Sequence, residues 1–447
     1  MSHASRCVRW VVALVGILVI QYFSTAAWGA LTLAPIFSSN MVLQRNAAVP
    51  IFGTADPGAT VTVQFGNQNV SAVANSTGRW QANLGSMNAS ATPSSLVVTG
   101  PGAQITCTGV QVGEVWLFSG QSNMDMTLNE AAESAPYIAD APNRNIRLFL
   151  MKAGNGPATT TWKVADSTTA AAFSAVGYWT GLELSKKLNI PIGLIQATHD
   201  GTNISEWQTT NGGSGSDYLA MVKPIQPLAI KGIGWYQGES NGGDAAYETK
   251  LTAMISEWRT DWGATLPFGI VQLPASKWTA ARIAQYNVTQ KVASTFLVVT
   301  HDLPGSSQLH PTAKKLVGMR MGLGARATVY GEAIEYSGPV PALALSSISG
   351  NTITLGFTHV GNGLTTSDGL APSAFQIAGA DGRFQAATAT LAGNTIRVSS
   401  SRVATPKMVR YGFSATGNLF NVVNVPIEGG TASITRLPGS LFDVRFP

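Results

Sequence analysis

Between residues 111 and 335 the chain alternates short apolar runs with amphipathic stretches, and this limits its fold more than any other feature. Ala175, Tyr178, Trp179 and Leu182 recur at helical spacing and mark one buried helix face. Pro191 ends that helix, and Ile192-Gly-Leu-Ile-Gln-Ala then reads as a buried strand. The alternation continues with a strand at Ile233-Gly-Trp-Tyr and a helical stripe of Tyr247, Leu251, Met254, Ile255 and Trp258. A strand at Phe268-Gly-Ile-Val-Gln-Leu, a helix over 280–292, a strand over 296–300 and a helix over 313–330 complete it. Such a sequence predicts an α/β fold, a parallel sheet with helices on both faces. Ligands of such sheets bind beyond the carboxyl ends of the strands.

The flanks have a different texture. Val49-Pro-Ile-Phe-Gly, Ala59-Thr-Val-Thr-Val-Gln-Phe, Gly78-Arg-Trp-Gln-Ala-Asn-Leu and Ser95-Leu-Val-Val-Thr are separated by Asp56-Pro-Gly and by a turn at 99–102. That is the spacing of a small β-sandwich. β-texture returns after residue 336, as in Thr352-Ile-Thr-Leu-Gly-Phe and Thr395-Ile-Arg-Val-Ser. The expected organisation is a β-rich region at 30–110, an α/β region at 111–335 and a β-rich region at 336–447. The two β-rich regions either stand apart or pack together as one composite domain.

The first 29 residues read as an export signal. Arg6 and Arg9 precede the apolar run from Val11 to Ile20, and small residues follow up to Gly29 and Ala30. The run is shorter than the roughly 20 apolar residues a membrane span needs, so cleavage and a periplasmic or extracellular location are expected. Cys7 falls in that signal and leaves Cys107 alone, so no internal disulfide is expected. A formal net charge of +5, spread without a Lys/Arg cluster, gives no nucleic-acid footprint. Neither metal-ligand spacing nor a phosphate loop appears, so no cofactor or metal is expected.

The chemistry concentrates in Gly113-Glu-Val-Trp-Leu-Phe-Ser-Gly-Gln-Ser-Asn-Met. A buried-looking run delivers Ser122 onto a polar turn of Gly120, Gln121 and Asn123, which suits a nucleophilic hydroxyl surrounded by backbone N–H groups. An ordinary strand-end turn would read the same way. Gly238-Glu-Ser-Asn-Gly offers a rival nucleophile, Ser240, because it matches a Gly-x-Ser-x-Gly elbow between a strand and a helix. A general base would come from His199, His301, His310 or His359. Of these, His310 follows a predicted strand and loop and precedes a helix, which puts it at a strand's carboxyl end.

These segments, in this order, resemble the sialate O-acetylesterase-like carbohydrate esterases of the SGNH hydrolase superfamily. The resemblance begins at Asn40-Met-Val-Leu-Gln-Arg, Asp56-Pro-Gly and Gly78-Arg-Trp, and is most specific at the segment ending in Ser122-Asn-Met. It continues through Gly193-Leu-Ile-Gln-Ala-Thr-His-Asp-Gly-Thr-Asn-Ile-Ser-Glu-Trp and Trp235-Tyr-Gln-Gly-Glu-Ser-Asn. Leu309-His-Pro with Lys314, Gly318 and Arg320 follows, and Val409-Arg-Tyr-Gly and Asn418-Leu-Phe-Asn extend it. The resemblance implies a three-layer α/β/α SGNH domain flanked by β-rich, sandwich-like or jelly-roll-like regions. It also implies Ser122 as nucleophile, His310 as base, and Ser122 N–H, Gly201 N–H and the Asn241 amide as oxyanion donors. Ser240 then becomes a neighbour of the site. The family's Asp two or three residues before the histidine is missing, since Gln308 and Ser307 stand there. Asp302 and Glu239 are the acidic candidates for orienting His310; otherwise a Ser–His dyad remains.

The implied substrate is an O-acetylated oligo- or polysaccharide, either a hemicellulose such as xylan or xyloglucan, or sialic acid. Gln121, Asn123, Gln237 and Arg282 are candidate substrate contacts, with Arg282 placed to meet a sialate carboxylate. Trp207, Trp235 and Trp278 are candidates for stacking on sugar rings, or else core anchors. A non-catalytic carbohydrate-binding protein on a decayed hydrolase scaffold is the rival from another class.

Overall fold

The computed structural model describes residues 30–152, 161–274, 278–413, 417–426 and 433–447. The expected export signal therefore lies outside the described residues. No described helix is long and apolar enough to cross a membrane.

The central sheet is built from β1 (Ala103–Gly120), β2 (Ile146–Lys152), β3 (Ile192–Thr198), β4 (Gly232–Tyr236), β5 (Phe268–Gln272) and β6 (Thr295–Val299). Their order is β2-β3-β1-β4-β5-β6, every neighbouring pair is parallel, and Lys163–Val164 adds a short antiparallel edge. The alternating pattern of the sequence thus becomes a mixed α/β molecule with a parallel centre. Helices α1 (Ser122–Asp125), α2 (Ala175–Leu188), α3 (Tyr247–Trp262), α4 (Thr279–Lys291) and α5 (Lys314–Thr328) lie between or after these strands. Helix α2 packs against α5, and α3 against α4.

Strand β1 carries two burial patterns in one run. From Ala103 to Gly109 exposed residues alternate with less exposed ones, whereas every residue from Val110 to Gly120 is buried. The first half pairs antiparallel with Ser90–Gly100 in the N-terminal β-region, and the second half forms the middle of the parallel sheet. Alternation fits a sheet wetted on one face; continuous apolar residues fit one covered on both. The boundary expected at 110/111 therefore falls inside a single strand. The N-terminal and central regions also share one continuous apolar core.

A partly buried ion pair ties that junction. Strand Val42–Gln44 runs parallel to β1, and Gln44 Nε2 and Arg45 Nε donate to the two carboxylate oxygens of Glu114 at 2.8 and 2.5 Å. The described residues between 340 and 445 form further antiparallel sheets, with a second core that includes Ile353, Leu355, Phe375, Tyr411 and Phe442. Tyr286 of α4 joins that core, so the C-terminal β-region packs directly on the central one. Cys107 is a buried free thiol, its pKa raised by burial, as suits a packing residue.

Candidate active site

Strand β1 ends at Gly120 with φ of 138°, and a Cβ there would lie 2.1 Å from the Tyr236 carbonyl. The next N–H, that of Gln121, donates to the same carbonyl at 3.1 Å. The chain then turns straight into α1, whose first residue is Ser122. A residue at that position has no intrahelical acceptor for its N–H. The hydroxyl thus sits at the carboxyl end of the sheet on rigid backbone, as the sequence suggests.

His310 Nε2 stands 2.8 Å from Ser122 Oγ. His310 is exposed and belongs to the loop between β6 and α5. The other three candidate histidines are engaged elsewhere. His199 Nδ1 meets Asp217 at 2.9 and 3.0 Å, buried His301 meets the Gly439 carbonyl at 2.9 Å, and His359 meets Glu335 at 2.6 Å. Ser240 Oγ donates to the Gly201 carbonyl at 3.0 Å and has no histidine partner among the described residues.

Gly201 lies in the turn after β3 with φ of 73°, exposed, and its N–H donates no hydrogen bond among the described residues. Asn241 sits in the short helical turn Glu239–Asn241 after β4. Its Oδ1 accepts from Ile204 N–H and from Gln237 Nε2, both at 2.8 Å. Those two bonds fix the amide, leaving Nδ2 with a 3.3 Å contact to Asp244 and one donor to spare. Gln237 is wholly buried, and its amide is satisfied there because it also donates to the Thr202 carbonyl and accepts from Tyr247. It supports Asn241 from behind. The buried Gln121 amide lies against the turn at Gly238 and Ser240, 3.3 and 3.4 Å from their N–H groups.

Among the described residues neither acidic candidate is hydrogen-bonded to the imidazole. Asp302 is clamped bidentately by Arg320 at 2.7 Å on each oxygen. Burial raises the Asp302 pKa, but Arg320 outweighs it and holds the carboxyl below the usual range. Glu239 is bonded to Asn123 Nδ2, and burial pushes its pKa up against the pull of Asn123 and Lys314. Asn123 also donates to the Leu309 carbonyl at 2.9 Å and accepts from Lys314 Nζ. Burial pushes the Lys314 ammonium down to about 7, with Glu239 pulling the other way. Among the described residues, the hydrogen bond of the His310 ring is the one to Ser122.

Asp200, which is not among the sequence candidates and carries no motif of its own, stands inside Thr198-His-Asp-Gly-Thr. Its pKa is raised by burial and by Asp125, and lowered by His310 and His199. It therefore lies within electrostatic reach of the pair. Arg282 is 2% exposed and donates to the Gly412 carbonyl at 3.3 Å, so it packs against the C-terminal β-region out of reach of a substrate carboxylate. Trp207 and Trp235 are fully buried and stack edge to face with centroids 5.7 Å apart, as core anchors. Trp278 is partly exposed beside Gly242, where a Cβ would lie 2.1 Å from its indole. His199, Glu206 and Asp217 bring potential metal-ligand atoms within 4.8 Å of one another. Bonds between His199 and Asp217, and from Asn203 to Glu206, account for that grouping.

Residues 112–326 match the family model for carbohydrate esterase, sialic acid-specific acetylesterase. The chain is similar to the sialate O-acetylesterase of Homo sapiens, 29% identical over 383 residues, covering 69% of this chain and 73% of that protein. It is also similar to the Mus musculus sialate O-acetylesterase, 27% identical, covering 73% and 78%. In structure it is similar to a carbohydrate acetylesterase from Xanthomonas citri, with a TM-score of 0.81 and 33% identity over 92% of this chain and 99% of that one. A shared fold along almost the whole length of a solved acetylesterase, with a third of its residues in common, places the chain in the sialate O-acetylesterase-like carbohydrate esterase family, as an ester hydrolase.

Proposed function

We propose that the protein is an exported O-acetylesterase that removes acetyl groups from neutral sugars of a hemicellulose such as xylan or xyloglucan. The observation that carries the mechanism is the 2.8 Å contact between Ser122 Oγ and His310 Nε2. Ser122 Oγ attacks the acetyl carbonyl while His310 Nε2 takes its proton. The negative oxygen that forms is held by Ser122 N–H, Gly201 N–H and Asn241 Nδ2. His310 then protonates the departing sugar oxygen, and water, deprotonated by His310, releases acetate from Ser122. In this reading residues 111–335 carry the chemistry as a three-layer SGNH domain between the β-rich regions 30–110 and 336–447.

Charge supports a neutral substrate. Asp125, Glu130 and His310 all lie close enough to influence Asp200, and Arg282 is buried elsewhere. A sialate carboxylate approaching Ser122 would meet like charge without a described counter-ion. The similarity to sialate O-acetylesterases favours the second reading, in which that sugar is nevertheless the substrate.

Acetate release from acetylated xylan, acetylated xyloglucan and O-acetyl sialic acid, by the protein and by Ser122→Ala, tests both. Release from the neutral glycans is expected to exceed that from sialic acid by at least about tenfold, and Ser122→Ala to release none. Faster release from sialic acid overturns the neutral-sugar reading. Binding of acetylated oligosaccharide without any acetate release overturns the esterase mechanism in favour of a binding protein.

A further inference from the structure

On the acetylesterase mechanism above, we propose that the buried cluster of Asn123, Glu239 and Lys314 positions His310 by gripping the Leu309 carbonyl, in place of an acid touching the ring. The three residues come from three separate segments: the turn that carries the nucleophile, the segment that carries Asn241, and the first turn of α5. Asn123 is fully buried and Lys314 is 1% exposed.

The orientation of Asn123 is over-determined. Its Oδ1 faces the Lys314 ammonium, and its Nδ2 faces both a Glu239 carboxylate oxygen and the Leu309 carbonyl. Turning the amide over would set donors against an ammonium and an acceptor against a carboxylate. Bonds to charged groups are roughly twice as strong as neutral ones, so the cluster holds Asn123 firmly and Asn123 holds Leu309.

Leu309 directly precedes His310, so the grip fixes the peptide plane from which the imidazole projects. On the near side Gln308 N–H is held by the Gly305 carbonyl at 2.8 Å, and on the far side Pro311 is buried. Between them Ser307, Gln308 and His310 are exposed and Leu309 is 52% exposed, so the Asn123 bond is what holds the Leu309 peptide itself. A second tether, Ala132 N–H to the Thr312 carbonyl at 2.9 Å, acts beyond the histidine. An acid behind a catalytic imidazole both orients it and stabilises its charge. The cluster supplies the orientation through the backbone. It also touches the nucleophile side, because Lys314 lies over the Tyr236 ring at 5.2 Å and the Tyr236 carbonyl anchors Gln121.

The test is kcat and KM for an aryl acetate, counted per folded molecule, for the full chain and its Asn123→Ala, Glu239→Gln and Glu239→Ala variants. Asn123→Ala is expected to lose about 10²-fold in kcat with KM changed less than about twofold, the signature of a misplaced group. Glu239→Gln keeps an oxygen for Asn123 and should lose no more than about tenfold, while Glu239→Ala falls to the level of Asn123→Ala. A purely structural role would lower the melting temperature without that split or that rescue. The proposal is overturned if Asn123→Ala keeps kcat within about threefold of the parent, or if the two Glu239 variants lose equally. Should Asn123→Ala not fold, the Glu239 pair carries the same comparison. An inactive parent, or an active Ser122→Ala, would instead overturn the esterase mechanism itself.

Discussion

Ser122 Oγ and His310 Nε2 meet at 2.8 Å across 188 residues of sequence. Ser122 leaves the end of β1 in the middle of the sheet. His310 arrives from the loop after β6, at the sheet edge, which lies beyond β5 and β4. The contact supports Ser122 over Ser240 as nucleophile, the order the family resemblance implies. Ser240 spends its hydroxyl on the Gly201 carbonyl. Ser122→Ala should therefore abolish acetate release, whereas Ser240→Ala should lose less than about tenfold, through a loosened Gly201 turn. Assay of both variants on an aryl acetate checks this, and the reverse order would restore the elbow reading.

Asn241 faces its remaining donor away from two acceptor bonds, to Ile204 N–H and Gln237 Nε2. A pre-aimed side-chain amide stabilises charge that appears only in the transition state. Asn241→Ala should lower kcat by about 10²–10³ while leaving KM nearly unchanged. A loss confined to KM would make Asn241 a contact for bound substrate.

Asp302 and Arg320 form a largely buried pair, with side chains 16% and 6% exposed. Asp302→Asn should therefore cost stability, roughly 3 kcal/mol, because the guanidinium loses its counter-charge. The Asp302 pKa is depressed in the folded state. Its contribution is thus complete above the unfolded carboxylate value, about 3.9, and is lost as pH falls through the lower folded value. The gap in melting temperature between parent and variant should be widest near neutral pH and close in strong acid. The kcat per folded molecule should stay within about threefold. A collapse of kcat with an unchanged melting temperature would instead make Asp302 act on His310.

The parallel sheet was legible because its helices carry clean stripes and its strands are bounded by Pro and Gly. Helix 175–188 and strand 192–198 begin at the residues where the pattern begins. The strand Ile146–Lys152 was not legible, since a short apolar run without alternation looks alike in a strand and in a buried helix. The continuity of β1 escaped for a related reason: its period changes halfway, so one strand reads as two. In the site, local turn context and family resemblance single out Ser122 and His310, and the structure brings the two side chains within 2.8 Å. The fate of Asp302 and Glu239 was not legible, because Arg320 and Asn123 reach them only in three dimensions. Arg282 likewise reads from sequence as a substrate contact at a helix start, because the C-terminal β-region that covers it is reached only in three dimensions.

Gly120 leads into the turn of Ser122 and Gly201 lies in the turn after β3, and alanine at each should fail differently. At Gly120 a Cβ would sit 2.1 Å from the Tyr236 carbonyl, at a φ of 138° that other residues rarely adopt. Gly120→Ala must push β1 off β4, so little folded protein is expected. At Gly201 a Cβ meets nothing within 4 Å, and the penalty is the positive φ of 73° alone. That costs roughly 1–2 kcal/mol for an alanine. Gly201→Ala should fold, melt a few degrees lower and lose about 10²-fold in kcat, because relaxing φ swings the N–H away from the oxyanion. Melting curves and aryl-acetate kinetics on the two variants separate clash from aim. A Gly201→Ala enzyme of undiminished kcat would remove Gly201 from the oxyanion site.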